Sequence, residues 1–518
     1  MDKGKLPGKP ISLWLDTTPG TNYPPLTGDL TTEVLIVGGG IAGLSTAEHL
    51  ASSGLEVTLI DGNRILEGVT GFTTAKVTSL HTLIYRKLID RFGKEMAQQY
   101  ANANQWAIGH IRGQVAQHGI DCDFTEEDAF TYATYQTGLQ SIDEEIDAAQ
   151  SLGLPVSLAD LSSQKFLAEA AICMKGQARF HPRKYLLHLA EKFIESGGTI
   201  YEHTRALKAE EHEGFSDVYL STGVIRCRYL VIATHFPFQD DNLYFTKLAP
   251  YRSYALAARI DGPLPDGMFI GVDEPVRSLR RQSFEGEDIL LVGGEGHKVG
   301  QEPDTNARYF SLAEWTRETF KVKEFLYRWS TQDNQTPDGV PYIGLASHKS
   351  ENVFIATGFD GWGMTTGTFA GKLIADLIQR IENPWAKLFD PNRSELKSLG
   401  VVIKEGANVA KQVVTDFVEH IDRLDLSSLK KGDGEVFYSH TQLVAASRDD
   451  QGTVHLVSAK CTHMGCNLHW NRAEQSWDCP CHGSRFDPDG KVLHGPAVEN
   501  LEQVVLHERD IESKVTLL

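Results

Sequence analysis

EVLIVGGGIAGLSTAEHLASSGLEVTLID, residues 33–61, decides how the first half of the chain folds. An apolar, β-branched run passes into three glycines, then an Ala/Leu-rich helical pattern, then a second apolar run ending in Asp61. That order and length make a βαβ unit. Gly38, Gly40 and Gly43 fill the three fixed positions of G-x-G-x-x-G. The first permits a tight turn, the second lets backbone approach a pyrophosphate, and the third lets helix pack on strand. Free N–H groups and the helix dipole then favour the phosphates. Asp61 follows Gly43 by 18 residues and ends the second strand, where a carboxylate can accept from ribose hydroxyls.

Outward from this unit, residues 1–32 are rich in Pro and Gly and read as a segment packed on the first domain. Residues 84–170 are expected to be largely helical, and about 199–295 to form antiparallel strands. ENVFIATGFDGWGMTTGTFAGKLIADLIQRI (351–381) is a strand, a Gly-rich turn and a long helix. The stretch 386–423, with a polar helical pattern over 402–422, reads as a linker. From 424 to 518 short strands with turn signals predict a small separate β domain. No internal repeat or low-complexity tract interrupts this order.

The glycine loop alone does not distinguish FAD from NAD. Two features point to a flavin: the Thr-rich GVTGFTTAKVTSLH (68–81) directly after the unit, and GFDGWGM (358–364) before a long helix. The second offers another helix N-terminus for the far end of a long cofactor. LVGGEGHKVG (291–300) fails the fingerprint and lacks a following helix, so NAD(P)H is a poor donor candidate.

CTHMGCNLHWNRAEQSWDCPCHGSRF (461–486) holds four of the seven cysteines and three histidines. Its ligand pairs are Cys461-x-His463 and Cys479-x-x-His482. Structural zinc sites commonly group like ligands as C-x2-4-C and H-x3-5-H. Here each loop supplies one Cys and one His, which suits a [2Fe-2S] centre with two thiolates on one iron and two imidazoles on the other. His469 and His494 read as packing or surface residues. Cys122, Cys173 and Cys227 are scattered and read as inert thiols.

Two resemblances follow. With the fingerprint, ARFHPRKYLLHLAEKFIESGGTIYE (178–202), RYLVIATHF (228–236), WSTQDNQTPDGVPYIG (329–344) and ATGFDGWGMTTGTFAGKLIADLI (356–378) make residues 33–385 resemble the D-amino-acid oxidase-like FAD-dependent oxidoreductases. The Thr73–Lys76 segment is similar to the gamma-glutamylputrescine-oxidase-like subgroup. The resemblance implies an α/β FAD-binding Rossmann-type domain with an interleaved α+β substrate domain. It places Thr73, Thr74 and Lys76 at the flavin, Ala206 on the adenine side, and Gly358, Gly363, Met364 and Thr365 along the ribityl chain and ring. Substrates in that family are amines, amino acids or 2-hydroxy acids that lose a hydride to the flavin. A substrate carboxylate would need an Arg or Tyr clamp, for which Tyr251, Arg252, Tyr254, Arg280 or Arg281, and His297 are the candidates.

C-T-H-M-G-C, C-P-C-H-G-S and GKVLHGPA make residues 425–518 resemble the Rieske family, an all-β domain. That resemblance implies Cys461, His463, Cys479 and His482 as ligands, with the Gly495-Pro496 loop over the cluster. Cys466 and Cys481, one in each loop, are expected to pair as a disulfide, a bond unusual in cytosol. Ser484 stands where a hydroxyl bonds a bridging sulfide. Phe486 stands where high-potential members carry Tyr, so one such bond is expected to be missing.

The formal charge of −19 argues against nucleic acid or an anionic membrane as partner. There is no run near 18 apolar residues and no signal-peptide core, so a cytoplasmic protein with no transmembrane segment is expected. The combined expectation is an oxidoreductase that oxidises an amine or amino-acid-like compound at FAD. It would pass electrons singly to its own Rieske cluster and on to an external protein or quinone acceptor. A reductase running in the opposite direction, and a flavoprotein with a Rieske sensing or docking module, are the alternatives. A Rieske oxygenase is disfavoured, since little chain follows the cluster to carry its iron site.

Overall fold

The computed structural model describes residues 5–135, 138–162, 164, 166, 168–240, 242–393, 426, 428–439 and 442–505. The expected linker from 394 on, its helical stretch 402–422, residues 1–4 and residues 506–518 lie outside the described residues. The chain forms two compact units. One is Met1–His235, Ser253–Gly296 and Arg308–Ser394; the other is Phe236–Arg252, His297–Ala307 and Glu395–Leu518.

The first unit is built on the quoted stretch. Strand β1 (Leu30–Val37), helix α1 (Ile41–Ser52) and strand β2 (Val57–Ile60) follow in order. Val34, Leu35, Ile36, Leu59 and Ile60 are fully buried, as expected for strands covered on both faces. Strands β3 (Thr199–Tyr201), β4 (Val224–Ile232), β5 (Tyr342–Leu345) and β6 (Val353–Thr357) complete the sheet path in the order β5-β6-β4-β1-β2-β3. All its pairs are parallel except β5 with β6. Of the strands expected to be antiparallel, β4 does pair antiparallel with Phe215–Tyr219 and is also parallel to β1 and β6, whereas β3 is only a parallel member of this sheet. The short apolar run of β3 matched either arrangement, and long-range pairing chose.

Helix α2 (Gly363–Ile378) crosses α1 closely because two glycines face it. A Cβ on Gly367 would lie 2.6 Å from Ile41 Cγ2, and one on Gly371 2.5 Å from the Ser45 carbonyl carbon. A second sheet, of ten strands, takes its members from Lys9–Pro10 through Val322–Gln335. The region 84–170, expected to be largely helical, contributes helices Ile84–Phe92, Lys94–His118 and Leu139–Ser151. It also contributes strands Thr125–Ala133 and Val156–Ala159, both paired with Ala170–Arg179. The alternating burial of TEEDAFTYA was the strand signal, masked by its charged outer face. The 291–300 run lies mostly in strand Glu287–Lys298.

After β5, Arg393 closes the first unit against Asp338. Its Nε and Nη2 donate to the two carboxylate oxygens at 2.7 and 2.8 Å, and its guanidinium lies 4.2 Å from the Tyr342 ring centroid. Both side chains are more than nine-tenths buried. Burial alone would raise the Asp338 pKa, but the hydrogen bonds and charge of Arg393 hold it below the usual value. Asp338→Ala leaves a buried guanidinium uncompensated and is expected to cost about 3–5 kcal/mol, measured by denaturant titration of the flavin-containing unit. With the folded pKa depressed, the pair's contribution is present above the unfolded value of ~3.9. It is lost as pH falls through the folded one.

In the second unit, β7 (Gly434–Ser439), β8 (Gln442–Arg448) and β9 (Val454–Ser458) form an antiparallel three-stranded sheet. β10 (His469–Asn471), β11 (Ser476–Asp478), β12 (Arg485–Phe486) and β13 (Val492–His494) form a four-stranded one. Leu468, Trp477 and Phe486 are fully buried in the core they share with four cysteines.

Candidate cofactor sites

The dinucleotide turn is shaped by overlaps that only glycine avoids. Gly38 has φ +111°, and a Cβ there or on Gly43 would run into the carbonyl oxygen of Ala233 or of Gly38 itself. Gly40 caps α1 without a side chain, and the first turn holds no acidic residue to compete with a phosphate. Thr70 Oγ1 accepts from Ile41 N at 3.1 Å and so ties the helix start to the 68–81 segment. Asp61 accepts from Gly39 N and Asn63 N, both at 2.8 Å. Burial raises its pKa, opposed by those hydrogen bonds and by Arg205, a neighbour the sequence reading missed.

Asp61, Lys76, His235, Asp333 and Asp360 are each only half-buried. Yet desolvation is the leading influence on every one of them. Lys76 is pushed down to about 7 and His235 to about 4. The glycine cradle and the bare helix start fit a dinucleotide.

The other expected cofactor contacts fall in the same unit. Thr73 O accepts from Trp14 Nε1 at 2.7 Å, Thr74 is half-buried beside it, and Lys76 donates to Ser278. Ala206 is buried. Gly358 has φ +77°, and Gly363, Met364 and Thr365 begin α2, with Thr365 Oγ1 donating to Thr78 O at 3.2 Å. Trp362 in the same turn stacks on His81 at 4.4 Å, and His81 Nδ1 meets Tyr100 OH at 2.6 Å.

The substrate-clamp candidates are not brought together. Arg280 is 1% exposed, donates to Phe180 O and Gln282, and lies over Trp14. Arg281 pairs with Glu127 and Asp266. Tyr254 is buried edge-on to Tyr309. Tyr251, Arg252 and His297 belong to the second unit, where Arg252 faces Asp478 at 3.8 Å, Tyr251 lies under Lys298, and His297 Nδ1 meets Lys298 O. Neither Arg252 nor Arg280 is exposed enough to grip a substrate carboxylate.

What the sequence reading missed is a pair of acids. Asp360 N donates to Asn334 O at 3.3 Å, and the Asp333 carboxylate accepts from Gly361 N–H. Desolvation raises both, Asp333 to about 6 and Asp360 to about 7, the latter raised further by the Asp333 charge. Among the described residues neither carboxylate forms an ion pair. The signal was present in the Asp of WSTQDNQ and the Asp of GFDGWG, but only the fold makes them neighbours.

In the second unit two matching turns present the Cys/His quartet. Gly465 N donates to Cys461 O at 2.9 Å and Gly483 N to Cys479 O at 3.0 Å, with Gly465 and Gly483 at φ +74° and +76°. Cys461 and Cys479 are free, buried and hydrogen-bonded thiol to thiol, which pulls Cys461 down to about 7 and pushes its partner up. The His463 and His482 rings stand 5.0 Å apart at 90°. His463 Nδ1 and both ring nitrogens of His482 are buried without a hydrogen-bond partner. Two thiols and two imidazoles with idle buried nitrogens are a donor set that fits a Rieske cluster.

Cys466 and Cys481 are joined by a disulfide, so neither offers a thiolate. Ser484 Oγ accepts from Ala497 N at 3.0 Å and hydrogen-bonds the Cys461 thiol. Phe486 is fully buried. His469 Nδ1 donates to Gly300 O at 2.5 Å, so it packs rather than ligates. The segment 297–307 reaches this loop through Gln301 Nε2, which donates to Pro480 O (3.3 Å), and Thr305 Oγ1, which accepts from Ala473 N (3.0 Å), and Phe245 stands edge-on to His482 at 5.4 Å. Among the described residues no helix is long and apolar enough to cross a membrane.

These geometries agree with what known proteins share with the chain. The family model for FAD dependent oxidoreductases matches residues 33–377, and that for the Rieske [2Fe-2S] domain matches 421–505. The Bacillus subtilis protein YhfW, named as a Rieske 2Fe-2S iron-sulfur protein, is 39% identical over 96% of this chain and 98% of its own length. The gamma-glutamylputrescine oxidoreductase of Escherichia coli is 24% identical over 68% of this chain and 85% of its own. Among solved structures, glycine oxidase from Geobacillus kaustophilus shares the fold with TM-score 0.61 at 17% identity, covering 70% of this chain and 99% of that one.

Proposed function

The chain belongs to the FAD dependent oxidoreductase family and carries a Rieske [2Fe-2S] domain, and from that premise we propose that it oxidises an amine and sends the electrons outward through its own cluster. FAD supplies acceptance of one hydride, two electrons at a time, and a [2Fe-2S] centre supplies carriage of single electrons. Cys461, His463, Cys479 and His482 would hold the cluster, and the Gly38–Gly43 turn with Asp61 would hold the dinucleotide.

The observation that carries the substrate class is the Asp333–Asp360 pair. Two neighbouring, desolvated carboxylates with no ion-pair partner among the described residues suit a cation, and an ammonium group supplies one. Trp362, an aromatic residue of the same turn as Asp360, also suits a neighbouring cation. The Arg candidates that would favour an amino-acid carboxylate are buried in other contacts. The gamma-glutamylputrescine named for the Escherichia coli relative is itself an amine, in keeping with this reading. An external protein or quinone acceptor completes it.

The test is anaerobic reduction of cluster-loaded protein by alkylamines, diamines, amino acids, hydroxy acids and NAD(P)H in turn. Flavin bleaching and the reduced-cluster EPR signal are both followed. Amines are expected to bleach the flavin and then raise the cluster signal, with Asp333→Asn and Asp360→Asn slowing bleaching at least tenfold. Bleaching by NAD(P)H alone, or a cluster that stays oxidised beside a bleached flavin, would sink the proposal.

A further inference from the structure

Away from both cofactor sites, the first unit holds a group of polar atoms that its own contacts leave unsatisfied. Glu48 and His49 sit in the last turn of α1, and His110 comes from the helix Lys94–His118. Glu48 Oε2 lies 3.7 Å from His49 Nδ1 and 3.9 Å from His110 Nε2, and one ligand atom from each of the three residues falls within 4.8 Å of the others. Glu48 Oε2 and His49 Nε2 are buried without a hydrogen-bond partner. So is the hydroxyl of Tyr185, a residue only 1% exposed that feels the Glu48 charge.

We propose that Glu48, His49 and His110 form a divalent transition-metal site, of the kind that takes zinc, bracing the end of the dinucleotide-binding helix against the helix Lys94–His118. Tetrahedral zinc with bonds of about 2.0–2.1 Å places its ligand atoms roughly 3.4 Å apart. The observed separations need only small side-chain rotations to close on one ion. Orphaned buried oxygen and nitrogen atoms are uncommon in folded proteins, and a missing ion or water is a regular explanation.

The position favours a cation for a second reason. Glu48 and His49 lie at the C-terminal end of α1, where the helix dipole is negative. The neighbouring Lys372 is engaged by Asp376 of its own helix, which limits its repulsion. Trp106 stacks on His110 at 4.8 Å and 15°, holding that ring in place.

The experiment is equilibrium dialysis of holoprotein, with its flavin and iron in place, against zinc ions. Bound metal is counted by mass spectrometry, and zinc-edge X-ray absorption reads the ligands. One zinc per chain is expected, with nitrogen and oxygen neighbours at about 2.0–2.1 Å and no sulfur at about 2.3 Å. Glu48→Gln and His110→Ala should each weaken binding at least tenfold, while His348→Ala, an exposed histidine elsewhere, leaves it unchanged. Zinc should also raise the thermal midpoint of the wild-type unit but not that of Glu48→Gln, a readout that survives if His110→Ala fails to fold. Zinc bound by sulfur, or equal binding by wild type and Glu48→Gln, would overturn the proposal.

Discussion

Cys479→Ser is expected to yield a protein without its iron–sulfur cluster: iron at background, no reduced-cluster EPR signal, and flavin retained. Cys479 is 1% exposed and meets Cys461 thiol to thiol in the donor set of the second unit. A serine hydroxyl at that buried point is a hard, neutral ligand where a soft thiolate is wanted. The contrasting variant carries Cys466→Ala and Cys481→Ala together. Those sulfurs are bonded to each other across 15 residues, so the pair contributes loop-closure stability of about 3 kcal/mol rather than ligation. The double variant should therefore retain iron and EPR signal while unfolding at lower denaturant. If it loses iron as completely as Cys479→Ser does, the ligand assignment fails.

The second large effect is expected from one methyl group. In Gly43→Ala the new Cβ would overlap the Gly38 carbonyl oxygen and press on Ile36 Cγ2 at 3.3 Å. The helix start must then lift from the turn that would hold the pyrophosphate. Overpacking of this kind costs about 1–3 kcal/mol. If most of that falls on the flavin-bound form, affinity drops about fivefold to a hundredfold, at roughly tenfold per 1.4 kcal/mol. The protein should purify with little flavin per chain but with its cluster EPR signal intact. Full flavin occupancy with an unchanged thermal midpoint would mean that this turn does not hold the cofactor.

Both candidate cofactor sites were legible because each is a local pattern. Gly38, Gly40, Gly43 and Asp61 span one βαβ unit, and each Cys/His pair of the second site sits in a single turn. Backbone sterics and ligand spacing act over a few residues, so such motifs survive without knowledge of the fold. The antiparallel pairing of Val224–Ile232 with Phe215–Tyr219 was legible, but its parallel partners and the parallel direction of Thr199–Tyr201 were not, since those depend on partners far away in sequence.

The substrate side was the least legible. YRSYALA and SLRRQ offered arginines of the right type, yet burial against Trp14, Phe180 and Asp478 occupies them. Asp333 and Asp360 are 27 residues apart and carry no motif. Likewise Glu48, His49 and His110 meet only where two helices pack.

By itself, then, the order of residues determined that this chain has a Gly-rich dinucleotide turn and a Cys/His quartet. It settled these because steric and ligand-type demands are met within single turns. Only the tertiary structure decided which charged groups are committed to each other and which are desolvated without an ion-pair partner among the described residues. Desolvation and ion pairing depend on whatever chain folds alongside, and no local pattern carries that information.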